Sequence, residues 1–454
     1  MPRQAIAIRL GATDKTSINT PGYNLTEVQF LAGERQLAHG VGNVLGDIAK
    51  LGIRPTEIAL DLYLLAACVY AADTQVSRHV HSEDEWTREL KLIVPVSDVG
   101  IWNTVAPTLK VLLSYLTGDY WEFEFRARPD GFEALAKAPE QMKLTPFSGV
   151  SLFSGGLDNL IGAIDELSDG KVPILVSHAS DGSASHAQGA CFDGLKSRFH
   201  PSEFQRVRGW LQFDRGLFPG LIGENSTRAR SFLFFALGVL VGSGLPPNWT
   251  LRVPENGLIA LNVPLDETRL GSLSTRTTHP FYMARWQELL HGLGIAATID
   301  NPYWNRTKGE MVLDCKDQYS LITLLPISLS CSSPTKGRWK GLGVQHCGYC
   351  LPCLIRRAAI LKGLANGIPD PTKYTVADLN AEALSTRTSE GKQVRSFQLA
   401  INKLESKPHL AKILVHKNGS LSDFADRLDE FADVYRRGMG EVANLLSGVV
   451  TSPR

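Results

Sequence analysis

Apolar residues alternate along the middle of the chain between short continuous runs and helical stripes. Runs at 150–153, 172–177, 207–213 and 258–263 are bounded by turn-forming residues and read as strands. The segments 159–167, 184–199, 230–241 and 280–293 carry apolar positions at helical spacing, as Leu160, Ile161, Ile164 and Leu167 do on one face. This alternation predicts an α/β domain over 146–365, a mainly parallel sheet with helices on both faces. Ahead of it, 1–145 is expected to be an α+β accessory region, with a helix at 60–70 and strands at 90–96 and 121–126. Behind it, 366–454 reads as a helical extension. There Ser420 and Asp423 predict a capped helix start, and Leu421, Phe424, Leu428 and Phe431 form an apolar stripe. Gly40, Gly42 and Gly46 lack both the spacing of a dinucleotide fingerprint and a strand before them, and predict a turn or helix feature.

Composition narrows the class. A chain of 454 residues suits two or three domains. With 47 basic and 46 acidic residues the net charge is +1, which argues against whole-molecule attraction to nucleic acid but leaves room for a local basic patch. Residues 1–10 lack the apolar core of a signal peptide. The most apolar helix candidate, 231–241, is too short to span a bilayer and follows Arg228 and Arg230. A cytoplasmic protein with no membrane partner is expected. Seven cysteines, four of them within 331–353, favour a metal site over a disulfide framework.

The candidate chemistry begins at Ser154-Gly155-Gly156-Leu157-Asp158-Asn159. An apolar run ends in a small-residue loop, and a helix starts directly after it. Such a junction is an anion cradle: glycines let backbone N–H groups approach a phosphate, and the helix dipole adds partial positive charge. The Gly-Lys-Ser/Thr ending of a Walker loop is absent throughout. Ser154 would donate its hydroxyl to phosphate. Asp158 would orient the loop or hold Mg²⁺ through water, or simply stabilise the helix start. The second constellation is Cys331 with Cys347, Cys350 and Cys353. Four thiolates match a tetrahedral structural Zn²⁺ site, with a redox Cys-x-x-Cys pair or unliganded buried cysteines as the alternatives. His346 adjoins the cluster without being needed in it.

Together the two constellations resemble the 7-cyano-7-deazaguanine synthases of queuosine biosynthesis, within the PP-loop ATP pyrophosphatases. Arg230-Ser231-Phe232-Leu233, Thr307-Lys308-Gly309-Glu310-Met311-Val312, Ser330-Cys331 and Cys353-Leu354-Ile355-Arg356-Arg357 resemble other segments of that family in the same order. The likeness covers about half the chain. Asn159 stands where the family carries serine, and Ser177-His178-Ala179-Ser180-Asp181-Gly182 replaces its Tyr-Gly-Gln segment. The layout is similar to the divergent synthase-like proteins of bacterial anti-phage cassettes, especially the Qat type.

The resemblance implies an adenine-nucleotide hydrolase-like PP-loop domain that uses ATP and Mg²⁺ to adenylate 7-carboxy-7-deazaguanine, releasing pyrophosphate. The acyl group would pass to an amine, of a partner protein from the same cassette. Ser154, Asp158, Arg230 and Lys308 are then the expected catalytic residues. Ser154 to Asn159, His178 and Ser180 would bind nucleotide, while Glu255, Arg276 and His279 would bind substrate. Glu255 would accept from the N1–H and N2–H of a guanine-like face, and its other reading is a turn residue. Arg230 and Lys308 could equally be a helix-end salt bridge and a solvated lysine; Arg276 and His279 could serve as loop and cap. A homodimer is allowed and a nucleic-acid partner is not expected. The alternatives are a nitrile-forming synthase using ammonia, a tRNA-modifying pyrophosphatase, and a non-catalytic scaffold binding nucleotide and zinc.

Overall fold

The computed structural model describes residues 3–32, 36–139, 147–179, 182–200, 202–266, 276–364 and 368–453. Two parallel sheets organise it. The first joins β1 (Arg3–Arg9), β2 (Tyr23–Gln29), β3 (Glu89–Val96) and β4 (Tyr120–Ala127) in the order β2-β1-β3-β4. The second joins β5 (Gly149–Leu152), β6 (Pro173–His178), β7 (Gln205–Gly209), β8 (Trp249–Arg252) and β9 (Ala297–Asp300) in the order β9-β8-β5-β6-β7. Every residue of β5 and β6 is buried, as expected of central parallel strands covered on both faces.

The main helices are α1 (Glu57–Gln75), α2 (Val99–Thr117), α3 (Leu157–Ser168), α4 (Gly182–Lys196), α5 (Arg230–Gly242), α6 (Pro280–Gly292), α7 (Lys308–Asp314), α8 (Leu351–Gly363), α9 (Ser389–Ser406) and α10 (Leu428–Leu445). Helix α5 is buried nearly all round, which explains its uniformly apolar sequence. Helix α1 packs along it, and α2 packs on α6. One continuous core therefore runs through both sheets, from Ile6 and Leu92 through Leu60 and Leu64 to Phe232, Phe235, Val150 and Leu251. A second core joins Cys347, Cys350 and Cys353 to α8, α9 and α10 through Leu354, Phe397 and Val434. No helix among the described residues is long and apolar enough to cross a membrane.

The structure departs from expectation in four places. The N-terminal region is α/β rather than α+β, because the four strands of its main sheet are all parallel and linked by crossovers; only the short pair Leu31–Ala32 and Gln36–Leu37 is antiparallel. Residues 258–263 are not a strand: Asn256 caps a short helix, Gly257–Leu261, by accepting from the Ile259 N–H at 3.1 Å. The strand lies earlier, at β8. Strand β7 stops at Gly209, short of 213, and Trp210 beyond it is exposed. Finally, Ser420 does not start a helix. A 3₁₀ turn, Ser422–Arg427, intervenes with Phe424 at φ −135°, and α10 begins at Leu428. Phe424 still meets Phe431 edge-on at 6.4 Å, so the apolar stripe packs without being helical throughout. As expected, Gly40 is a turn residue, left-handed at the N-cap of helix Val41–Lys50.

Candidate functional site

The order of the second sheet reverses direction between β5 and β8. Ligands of open parallel sheets bind at such a switch point, beyond the carboxyl ends of the strands. The Ser154 loop leaves β5 at that place. Gly155 adopts φ +79°, and a Cβ there would lie 2.9 Å from the Gln188 backbone nitrogen of α4. Its carbonyl accepts from the Leu329 N–H at 2.8 Å. Gly156 is the N-cap of α3; its N–H reaches Ser154 Oγ at 3.3 Å, and the Leu157 N–H reaches Ser330 Oγ at 3.2 Å. Two N–H groups at a helix start are thus met by hydroxyls that can rotate away for an anion. Gly155→Ala is expected to destabilise the protein by at least about 1–2 kcal/mol, from the left-handed backbone and the clash with α4. A denaturant titration with an unchanged midpoint would show that the loop tolerates a side chain.

Asn159 is committed within the loop. Its Oδ1 accepts from the Ser154 N–H at 3.0 Å and from the Ser154 hydroxyl, and its Nδ2 donates to the Pro254 carbonyl at 3.0 Å. This ties the loop to the segment after β8, so Asn159 acts as a brace across the switch point.

Beneath the loop lies a buried charged group. Asp158 Oδ2 is 3.0 Å from Lys308 Nζ and accepts from Asn256 Nδ2 at 3.0 Å. Lys308 is buried and paired, not solvated. It opens α7 behind a capping box formed by Thr307 and Glu310. Glu441 of α10 grips the same turn, accepting from the Thr307 hydroxyl and, at 3.1 Å, from the Gly309 N–H. The C-terminal extension therefore helps hold Lys308 in place.

Glu255 adjoins Asp158, and the two carboxyls influence each other. Burial, then the neighbouring Asp158 charge, raises the Glu255 carboxyl well above the usual range. Asp158 is opposed by burial, yet Lys308 and its other partners hold it below its ordinary value. Asp158 Oδ1 has no fixed donor, which fits a proton carried by Glu255. A carboxyl raised in the folded state stabilises fully below its unfolded value of 4.5, and that contribution is lost as pH climbs through the folded one. Asp158 contributes in the opposite sense, losing its stabilisation only in acid, below 3.8. The Tm of the ligand-free protein is expected to decline as pH rises above 4.5, and the decline to flatten in Glu255→Gln, whose amide donates at every pH. An identical slope in the variant would assign the effect to another group.

A cavity of about 580 Å³ opens above this group. Its lining brings Ser154 and Asn159 together with Arg230, Glu255 and Arg276. Arg276 is steadied by the Tyr115 carbonyl, by Asn418 Oδ1 at 3.3 Å and by the Tyr115 ring at 4.8 Å. The Arg230 guanidinium donates to the His178 carbonyl at 3.3 Å. His178 itself is buried against Tyr70 of α1, and burial beside Arg230 pushes its imidazole down to about 3. His279 is absent from the cavity wall. It is the N-cap of α6, its Nδ1 accepting from the Phe281 N–H at 3.2 Å, and burial lowers it to about 3. Ser180 lies outside the described residues.

The opposite wall comes from the N-terminal region and had no sequence signal of its own: Trp86, Thr117 and Gly118. Arg228 stands on the Trp86 ring at 3.8 Å and donates to the Thr117 carbonyl at 2.9 Å. Its two-residue spacing from Arg230 before an apolar helix could have marked it. A buried ion cluster sets this wall. Arg88 pairs with Asp119 at 2.6 Å and with Asp73 at 2.9 Å, and Asp73 also accepts from the Ala229 N–H at 2.8 Å.

The four cysteines form one cluster, with one sulfur from each lying within 4.8 Å of the others. The Cys331–Cys350 and Cys347–Cys353 sulfurs are 3.9 Å apart, close to the tetrahedral edge expected for bonds of about 2.3 Å to zinc. Backbone N–H groups of Ser333, Cys347 and Cys350 point at cluster sulfurs, each at 3.3 Å. The donor set fits a metal such as zinc. His346 stays outside it, its Nε2 accepting from the Ser330 N–H at 3.2 Å.

Comparison of the chain with protein-family models, with curated proteins and with solved structures gives no match.

Proposed function

We propose that this protein is an ATP-dependent carbon–nitrogen ligase. It adenylates the carboxylate of 7-carboxy-7-deazaguanine and passes the acyl group to an amine of a partner protein, within a bacterial antiviral cassette. The observation that carries the reading is the switch-point cavity, where Ser154 and Asn159 of the loop meet Arg230, Arg276 and Glu255, with the buried Asp158–Lys308 pair next to Glu255 but outside the lining.

In the proposed reaction a substrate carboxylate oxygen attacks the α-phosphorus of ATP. The bond from that phosphorus to the bridging oxygen breaks, and pyrophosphate leaves. The amine nitrogen then attacks the acyl carbon, AMP departs with its oxygen, and the nitrogen gives its proton to water. The loop N–H groups and the Ser154 hydroxyl suit the charge that builds on pyrophosphate. Mg²⁺, when bound, would neutralise the phosphates, and Asp158 Oδ1 would be an oxygen for it once substrate displaces the Glu255 proton. Arg230 and Arg276 suit the carboxylate or phosphate. Glu255 suits a purine edge with two N–H donors, which would replace the proton that Glu255 otherwise carries.

The test incubates the protein with ATP–Mg²⁺ and 7-carboxy-7-deazaguanine, with and without the cassette partner, and weighs every product. AMP, pyrophosphate and a partner heavier by the acyl group are expected. No AMP in any mixture sinks the ligase reading. AMP with a free nitrile and an unchanged partner replaces protein conjugation with the ammonia-using reaction.

A further inference from the structure

The residues from Gln318 to Pro369 contain no aspartate or glutamate, yet hold Lys336, Arg338, Lys340, Arg356, Arg357 and Lys362. Arg356 and Arg357 are used internally: Arg356 donates to the Leu325 carbonyl at 2.6 Å and Arg357 to that of Val376 at 3.0 Å. Lys362 pairs with Glu441 at 3.0 Å. Lys336, Arg338 and Lys340 share one turn. The 3₁₀ turn Pro334–Lys340 projects Lys336 and Arg338 into a cleft of about 1220 Å³, where Lys373 and His186 join them. Among the described residues no carboxylate lines this cleft. Among the described residues none pairs with Arg338, Lys340 or Lys373, although the chain as a whole is almost neutral.

Trp339 sits between two of these cations and is 91% exposed. An indole held this far into water buries almost none of its apolar area, and the adjoining Leu342 and Val344 are exposed as well. Such a side chain marks a surface meant to be covered.

We infer that this turn and cleft bind single-stranded nucleic acid, with phosphates along Arg338, Lys340 and Lys373 and a base stacked on Trp339. The chemistry selects that partner. Single-stranded nucleic acid offers a phosphate and a flat π-face at each step, which matches cations interleaved with an exposed aromatic. An acidic peptide would neutralise the cations and leave the indole in water. A free mononucleotide would fill only a fraction of the cleft. The inference stands apart from the adenylation reading, since the cleft shares no lining residue with the switch-point cavity. It does touch the loop from behind, through Leu329, whose N–H meets the Gly155 carbonyl.

Fluorescence anisotropy of labelled 12-nucleotide dT and rU strands with the full-length protein tests this. Binding that weakens steeply with salt is expected. Trp339→Ala should weaken it by about tenfold at every salt concentration. Arg338→Ala/Lys340→Ala should weaken it and reduce the slope of log affinity against log salt by about two. All three positions are exposed, so melting curves should match wild type and exclude misfolding. No binding of either strand at low salt overturns the inference. So does binding that both variants leave intact. Polyglutamate displacing the strands as well as unlabelled dT does would assign the cleft to acidic proteins instead. Displacement by ATP alone at equal phosphate concentration would make it a mononucleotide site.

Discussion

Asp158→Ala is expected to reduce ATP-dependent AMP release by about 10²–10³-fold or more, the scale of losing one well-placed electrostatic group. It should also destabilise the protein. Lys308 is buried, and removing its carboxylate partner leaves an uncompensated ammonium beneath the loop, a loss of about 3–5 kcal/mol. A fall in activity alone would therefore be ambiguous. The pair Asp158→Asn and Lys308→Met, taken singly and together, separates the effects. With neither charge left alone, the double variant should regain part of the stability lost by the singles and none of the activity. Chemical denaturation gives the first quantity and AMP release the second. Asp158→Ala turning over ATP at the wild-type rate would end the catalytic assignment.

Cys350→Ser carries the second large effect. Metal analysis of the wild-type protein should find about one zinc per chain, and the variant should lose it. In small zinc domains metal binding supplies about 10–16 kcal/mol of apparent folding free energy, so the loss should unfold at least the core around the cluster. That core contains Cys347, Cys350 and Cys353 together with Leu354, Phe397 and Val434. The damage should reach the site, because Glu441 extends from the same core to the turn that carries Lys308. Limited proteolysis should find cuts within α9 and α10 in the variant, and a strong chelator should reproduce them in the wild type. A metal-free Cys350→Ser protein with wild-type melting and protease resistance would show the cysteines to be packing residues.

The loop was legible in sequence because its information is local. A buried strand, small residues and a helix start lie within ten positions, and each imposes its own geometry. The four cysteines were legible for the same reason: spacing alone gathers three of them. What failed was the reading of segments whose structure depends on distant partners. Residues 258–263 are apolar enough for a strand, but Asn256 caps them into a helix and Trp249–Arg252 takes the place between β5 and β9. Asn159, expected at the nucleotide, does line the cavity, but its brace to Pro254, 95 residues away, is a link that no local pattern encodes. His279 was open between substrate contact and cap, and it is the cap: the proline after it starts a helix that the imidazole caps. Trp86, Thr117 and Gly118 reach the cavity only through the packing of a whole second sheet, which no pattern of period two or 3.6 encodes.

The single core shared by the two sheets also limits how this protein can be dissected. Helix α5 has α1 along one flank and its own sheet along the other, so cutting the chain near residue 145 would strip one side bare. The remaining fragment would present Phe232, Phe235 and their neighbours to water as a sticky surface. A minimal folded unit therefore cannot be made by trimming to the loop and the cysteines. The front third belongs to the same packed core, so α1 and the apolar face of α5 need each other to stay out of water.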